Sequence, residues 1–149
     1  MATESKPGTR METYTEPAAV LIAAQELIHD PFAWIQAGYA ADDDSNDVLP
    51  TDPTACGWCA HGAIEAVSAT PLATARATES LRKSIDTLYG PPTFLKLLIR
   101  VRDFFRPRVS PREHITRFND EPYRTHGEVM AAFSHAIGRE MTVIEQRHA

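Results

Sequence analysis

The sequence predicts an all-α fold, a single domain built as a bundle of five to six helices with a long loop between the first two. Three observations predict it. Apolar residues recur at three- and four-residue steps along most of the chain, and no stretch alternates strictly enough to read as a strand. Helix start signals, with Asp, Ser or Thr followed by Pro or by Glu three residues on, precede several of these stretches. Finally, 149 residues with 43% hydrophobic and 23% charged side chains match one ordinary globular core.

Residues 1–15 lack apolar periodicity and carry Lys6-Pro7-Gly8, so they read as a flexible tail before a domain spanning 16–149. The first helix opens at Glu16 or Pro17 and runs to about His29, with Leu21, Ala24, Gln25 and Ile28 on one stripe. Pro31 ends it, because the residue before a proline is pushed out of the helical region. Residues 32–50 form the long connection, holding Trp34, Gly38 and an acidic run from Asp42 to Asp47.

The second helix is expected to use Asp52 as N-cap and Pro53 as first helical residue, continuing to about Ser68. Its inward stripe is then Cys56, Cys59, Ala60, Ala63, Ile64 and Val67. A third helix covers residues 71–89, with Leu81, Ile85 and Leu88 facing the core, and Gly90-Pro91-Pro92 stops it. Residues 93–105 match a helical period better than alternation, although a strand through Leu97-Leu98-Ile99 stays open. Ser110-Pro111-Arg112-Glu113 starts a short helix to about Phe118 with a capping-box pattern. After a turn at Asn119-Asp120-Glu121-Pro122, Thr125 and Glu128 open the longest helix, whose apolar face is Val129, Ala132, Phe133, Ala136, Ile137, Met141 and Ile144.

The net charge of -5 is unevenly spread. Residues 1–52 carry ten acidic and two basic side chains, whereas residues 96–117 carry seven basic and two acidic ones. No secretory leader and no apolar run of membrane-spanning length is visible, so a cytoplasmic protein with reduced cysteines and no membrane partner is expected.

Chemistry concentrates at Cys56-Gly57-Trp58-Cys59. The preferred reading makes Cys59 a small apolar side chain at a helix crossing. The competing one makes it a nucleophilic thiolate assisted by His114 or His126 and oriented by Asn119 or Asp120. His135 is a further histidine of open placement. His61 is two residues along the same expected helix and so turns away from Cys59. A redox role needs the first cysteine at a helix N-terminus, which Asp52 capping denies to Cys56. Zinc needs a second half-site, and no pair of histidines has that spacing. The acidic loop lacks the glycine and glutamate of a calcium loop. Neither a metal nor a cofactor is therefore expected. Asn119-Asp120 is read in preference as a turn whose side chains bond nearby backbone.

The basic stretch 96–117 interleaves arginine with phenylalanine. The preferred reading puts Phe94, Phe104, Phe105 and Phe118 in the core and the arginines on the solvent face. Should the segment bind, Arg100, Arg102, Arg106 and Arg108, with Trp34 from the loop, are the expected contacts. A protein is the expected partner and nucleic acid the weaker alternative. The sequence sets no oligomeric state.

Trp34 with Gln36, Trp58-Cys59 with Gly62-Ala63, Asn119-Asp120, and Thr125, Glu128 and Val129 together give the chain a family likeness. It resembles a group of small uncharacterised proteins of bacteria and their phages, classed as a domain of unknown function. Tryptophan precedes Asn-Asp in that group, where this chain has Phe118, and the region 71–108 falls outside the shared pieces. The resemblance implies a helical fold, marks those positions, and suggests a role accessory to a phage or mobile element. It implies no reaction. The function expected is a small non-enzymatic binding or regulatory module, with the Cys59-dependent hydrolase or transferase as the alternative.

Overall fold

The computed structural model describes residues 11–102 and 108–149, the side chains of 100–102 excepted. Among these residues lie six α-helices and one two-stranded sheet, in the order α1 (Pro17–Leu27), β1 (Ala40–Ala41), β2 (Gly57–Trp58), α2 (Ala60–Val67), α3 (Pro71–Tyr89), α4 (Thr93–Arg102), α5 (Pro111–Asn119) and α6 (His126–His148). The expected helical bundle with a long first loop is what the chain forms. No helix among the described residues is long and apolar enough to cross a membrane.

Four of the expected helices form where their signals stand. Proline occupies the first turn of α1, α3 and α5, where its missing N–H costs no hydrogen bond. Thr70 caps α3 by accepting from the Ala73 N–H, and Ser110 caps α5 by accepting from Glu113. Thr125 and Glu128 make the complete reciprocal box at α6. At α5 only half of that box forms, since the Glu113 carboxylate pairs with Arg117 one turn on.

The core lies where α1 packs on α2, α3 and α6, and where α3 packs on α5 and α6. Phe133, Leu21, Ile28, Ile64, Leu81 and Ile115 are its large side chains. Small residues (Ala24, Ala63, Ala77, Ala132 and Ala136) sit between them and let the helices approach closely. Polar ties fix the register: Gln25 Nε2 donates to Met130 O and Ser134 Oγ across α1 and α6, and Ser80 Oγ donates to Glu140 across α3 and α6. Leu88, Met141 and Ile144, expected in the core, are exposed instead, because they lie on parts of α3 and α6 that run beyond the packed faces.

The start of α2 differs most from the sequence expectation. Asp52 does not cap a helix; its Oδ1 accepts from the N–H and hydroxyl of Thr54 and closes a local turn. Residues 56–58 then run extended, with Cys56 N–H donating to Ala41 O and Gly57–Trp58 pairing antiparallel with Ala40–Ala41. Cys56 is consequently exposed rather than on an inward stripe, and α2 opens about two turns later than expected, with Cys59 as its N-cap. A backbone partner from β1, distant in sequence, outcompetes the local cap signal.

Residues 1–10 of the expected tail lie outside the described residues. At its inner end Tyr14 bridges to Ser68, its N–H donating to Val67 O and its carbonyl accepting from Ala69 N–H, each at 2.8 Å.

Candidate functional site

Asn119, the last residue of α5, joins the long loop, the start of α2 and α5 at one buried point. Its side chain is fully buried, and both of its polar atoms are doubly engaged. Oδ1 accepts from Trp34 Nε1 at 2.7 Å and from the Ala60 N–H at 3.0 Å. Nδ2 donates to Ile35 O at 3.0 Å and to Asp120 Oδ1 at 2.8 Å. An amide offers two acceptor sites and two donors, so Asn119 is saturated.

Its neighbours extend the clamp. Gln36 Nε2 donates to the carbonyls of Asn119 and Glu121. Asp120 Oδ1 accepts from the Ala37 N–H at 3.0 Å and so holds Ala37 at a φ of 62°, a left-handed conformation disfavoured for alanine. The partners of Asn119 and Asp120 are thus groups 59 to 85 residues away, not only the adjacent turn.

Cys59 lies next to this point. It is buried, its N–H donates to Tyr39 O at 3.1 Å, and its Sγ accepts from the Gly62 N–H at 3.2 Å. Burial pushes the thiol up from 9.0 to about 11, against the smaller opposing effect of the Gly62 N–H. Gly62 is required here by space: a Cβ on it would stand 1.9 Å from Tyr39 O, so α2 rests on backbone at that turn.

The candidate histidines are occupied elsewhere. His126 Nε2 lies 2.7 Å from Ile28 O, and since a carbonyl only accepts, Nε2 carries the proton. His114 Nε2 meets Asp86 Oδ1 at 3.2 Å. His135 Nδ1 bonds the buried Ser84 hydroxyl at 3.0 Å. His61 is buried beside Tyr39, whose ring it meets edge-on. Its Nδ1 lies 3.4 Å from Glu65 Oε2 without making a hydrogen bond. Burial first, and the Arg112 charge second, lower His61 from 6.5 to about 4, so its ring is neutral at pH 7. The expectation that His61 turns away from Cys59 rested on both lying in one helix, whereas Cys59 is the cap before it.

The basic segment departs from its preferred reading. Phe118 is buried under the Arg124 guanidinium, but Phe94 is 71% exposed, and Phe104, Phe105 and Arg106 lie outside the described residues. Arg100 and Arg102 end α4, and Arg108 is exposed beyond it. Leu97 and Leu98 are 66% and 64% exposed and share a face with Phe94 at i, i+3 and i+4. Lys96, the cation of the same helix, turns the other way and donates to Asp86 O at 3.2 Å on α3. α4 therefore shows Phe94, Leu97 and Leu98 to solvent and turns Lys96 to the body. Sequence reading missed this orientation, because a cation such as Lys96 on the side of the helix away from Phe94 reads as the solvent face.

A family model described as a family of unknown function, DUF6197, matches residues 12–139. The chain belongs to that family. The match includes the region 71–108 as well as the clamp residues Trp34, Gln36, Cys59, Asn119 and Asp120. No curated protein and no solved structure matches the chain.

Proposed function

We propose that this DUF6197 chain is a small non-enzymatic binding module, acting in the cytoplasm and docking a protein partner through the outward face of α4. The orientation of α4 carries the reading. Burying a side chain such as Phe or Leu stabilises by about 1.5 to 3 kcal/mol, and Phe94, Leu97 and Leu98 forgo this in the isolated chain. Grouped large apolar residues at helical spacing are what helix-mediated protein recognition uses. A nucleic-acid surface would instead turn its cations outward, and Lys96 faces inward. A setting accessory to a phage or mobile element is suggested by the resemblance alone.

The cysteine-enzyme alternative has less support. Cys59 is buried, its thiol is held protonated, and its sulfur serves a backbone N–H. Asn119 has no free valence for orienting a histidine. The clamp is better read as the device that joins the loop to the bundle.

A photo-crosslinking amino acid at Leu97, compared with one at the exposed Tyr123, tests docking in cells of the source organism. Discrete adducts to another protein are expected from position 97 alone, and their loss in the Phe94→Ser, Leu98→Ser double variant. Equal labelling from both positions, or none from 97, would reject the reading.

A further inference from the structure

We infer that Cys56 and Cys59 form a thiol–disulfide switch gated by β2: the two cysteines join only when Gly57–Trp58 leave β1, so the disulfide and the strand pairing exclude one another. The backbone between the cysteines carries this. Gly57 and Trp58 are extended and paired with Ala40–Ala41, and Cys59 is still extended where it caps α2. Steps of about 3.3 Å per residue then put the two Cα atoms about 10 Å apart, and an odd separation along a strand sends the side chains to opposite faces. Cys56 is accordingly exposed and Cys59 fully buried. A disulfide needs Cα atoms within about 7 Å, so it does not close on the paired strand.

The sequence carries a second conformation for the same stretch. Asp52 and Pro53 are the residue types of an N-cap and a first helical position. A helix continued from them to α2 would bring the cysteines to i, i+3 on one side, with Cα atoms about 5 Å apart and within disulfide reach. What opposes that helix is non-local. Cys56 N–H donates to Ala41 O at 2.9 Å, Cys59 N–H to Tyr39 O at 3.1 Å and Ile35 N–H to Trp58 O at 3.1 Å. Trp58 Nε1 donates to Pro50 O at 3.0 Å from a buried ring. Residues 53–58 are thus one element with two arrangements, and the disulfide selects the helical one. Closing it forfeits these bonds and frees the loop around Tyr39–Ala41 from the start of α2, while the bond from Trp34 to Asn119 uses none of the same groups.

The oxidant is a small disulfide such as oxidised glutathione. The Cys56 thiolate attacks one of its sulfurs, forming a mixed disulfide, and the released thiolate takes up the Cys56 proton. With the strand released, the Cys59 thiolate attacks the Cys56 sulfur, and the second thiolate to leave takes up the Cys59 proton. Two cysteines are oxidised to one disulfide and one small disulfide is reduced to two thiols. While β2 stays paired the second attack is blocked, because Cys59 is buried and distant and its Sγ accepts from the Gly62 N–H at 3.2 Å. Burial also pushes its thiol up to about 11, which keeps it protonated. The closed fold therefore retains the mixed disulfide on Cys56.

The test uses the full chain, oxidised glutathione and the Gly57→Ala variant. A Cβ on Gly57 would stand 2.8 Å from Ile35 Cγ2, and alanine is the better helix former, so the substitution shifts the stretch away from β2 on both counts. Intact mass and peptide mapping are expected to show one adduct, on Cys56, converting to the internal disulfide at least about fivefold faster in Gly57→Ala than in the parent. Hydrogen exchange by NMR then follows the Ile35 amide and the Trp58 indole, the donors to Trp58 O and Pro50 O. Both are expected to be protected in the reduced chain and in the adduct trapped by Cys59→Ser, and to lose protection once the internal disulfide has formed. Retained protection in the internal disulfide, conversion no faster in Gly57→Ala, a first adduct on Cys59, or disulfide-linked dimers in place of the internal bond would overturn the inference. If Gly57→Ala failed to fold, the exchange measurement on the oxidised parent would decide alone.

Discussion

The indole N–H of Trp34 donates to Asn119 Oδ1 at 2.7 Å, fastening the long loop to the end of α5. The same oxygen takes the Ala60 N–H, so one amide side chain also tethers the first residue of α2. The pairing makes Asn119 the residue on which three segments depend.

Replacing Asn119 by Asp keeps the acceptor for Trp34 and Ala60 but sets a second oxygen against Ile35 O and Asp120 Oδ1. A loss of about 3 to 5 kcal/mol is expected in urea unfolding, because a buried charge then faces two acceptors. Trp34→Phe removes one donor and keeps the ring, and should lose about 1 to 2 kcal/mol. If Asn119→Asp proved milder than Trp34→Phe, the saturated-amide account would be wrong.

That clamp was only partly legible in the sequence. Trp34, Gln36 and Asn119-Asp120 stand out through the family resemblance, but the atoms they bond are mostly backbone groups 83 to 85 residues away, which no spacing reveals. α3 was legible from end to end because Thr70, Pro71 and Gly90 act within a turn of its termini. Asp52 misled for the opposite reason: its side chain is equally served by a local turn with Thr54, and the β1 pairing that decides the matter is non-local. For α4 the pattern defines a helix, yet Lys96 reads as solvent-facing by its charge, and its bond to Asp86 O on α3, which turns it inward, is not legible in the spacing.

Cys59 should behave as a cap rather than a nucleophile. With its thiol at about 11, only about one molecule in ten thousand carries the thiolate at pH 7. Iodoacetamide is therefore expected to modify the exposed Cys56 in the native protein and Cys59 only with unfolding, as peptide mass analysis would show. Cys59→Ala removes the acceptor for the Gly62 N–H and should cost about 1 kcal/mol, which Cys59→Ser largely restores. Native-state labelling of Cys59 at the rate of Cys56 would contradict this.

The pH dependence of stability should carry the signature of His61. Burial lowers it from 6.5 to about 4 in the folded chain, so below about pH 6.5 the unfolded chain binds a proton that the native chain does not. Stability contributed by the neutral ring is then fully present above the unfolded value and is lost as pH falls toward 4. The slope approaches about 1.4 kcal/mol per pH unit and the total is about 3 kcal/mol. Glu65, 3.4 Å from Nδ1 without a hydrogen bond, does not reverse this direction, and the Arg112 charge acts with burial. His61→Phe keeps an aromatic edge against Tyr39 and has no proton to gain. Its unfolding free energy between pH 4 and 6.5 should fall less steeply than that of the parent, measured by urea titration at half-unit steps. Parallel slopes in the two proteins would place the acid sensitivity elsewhere.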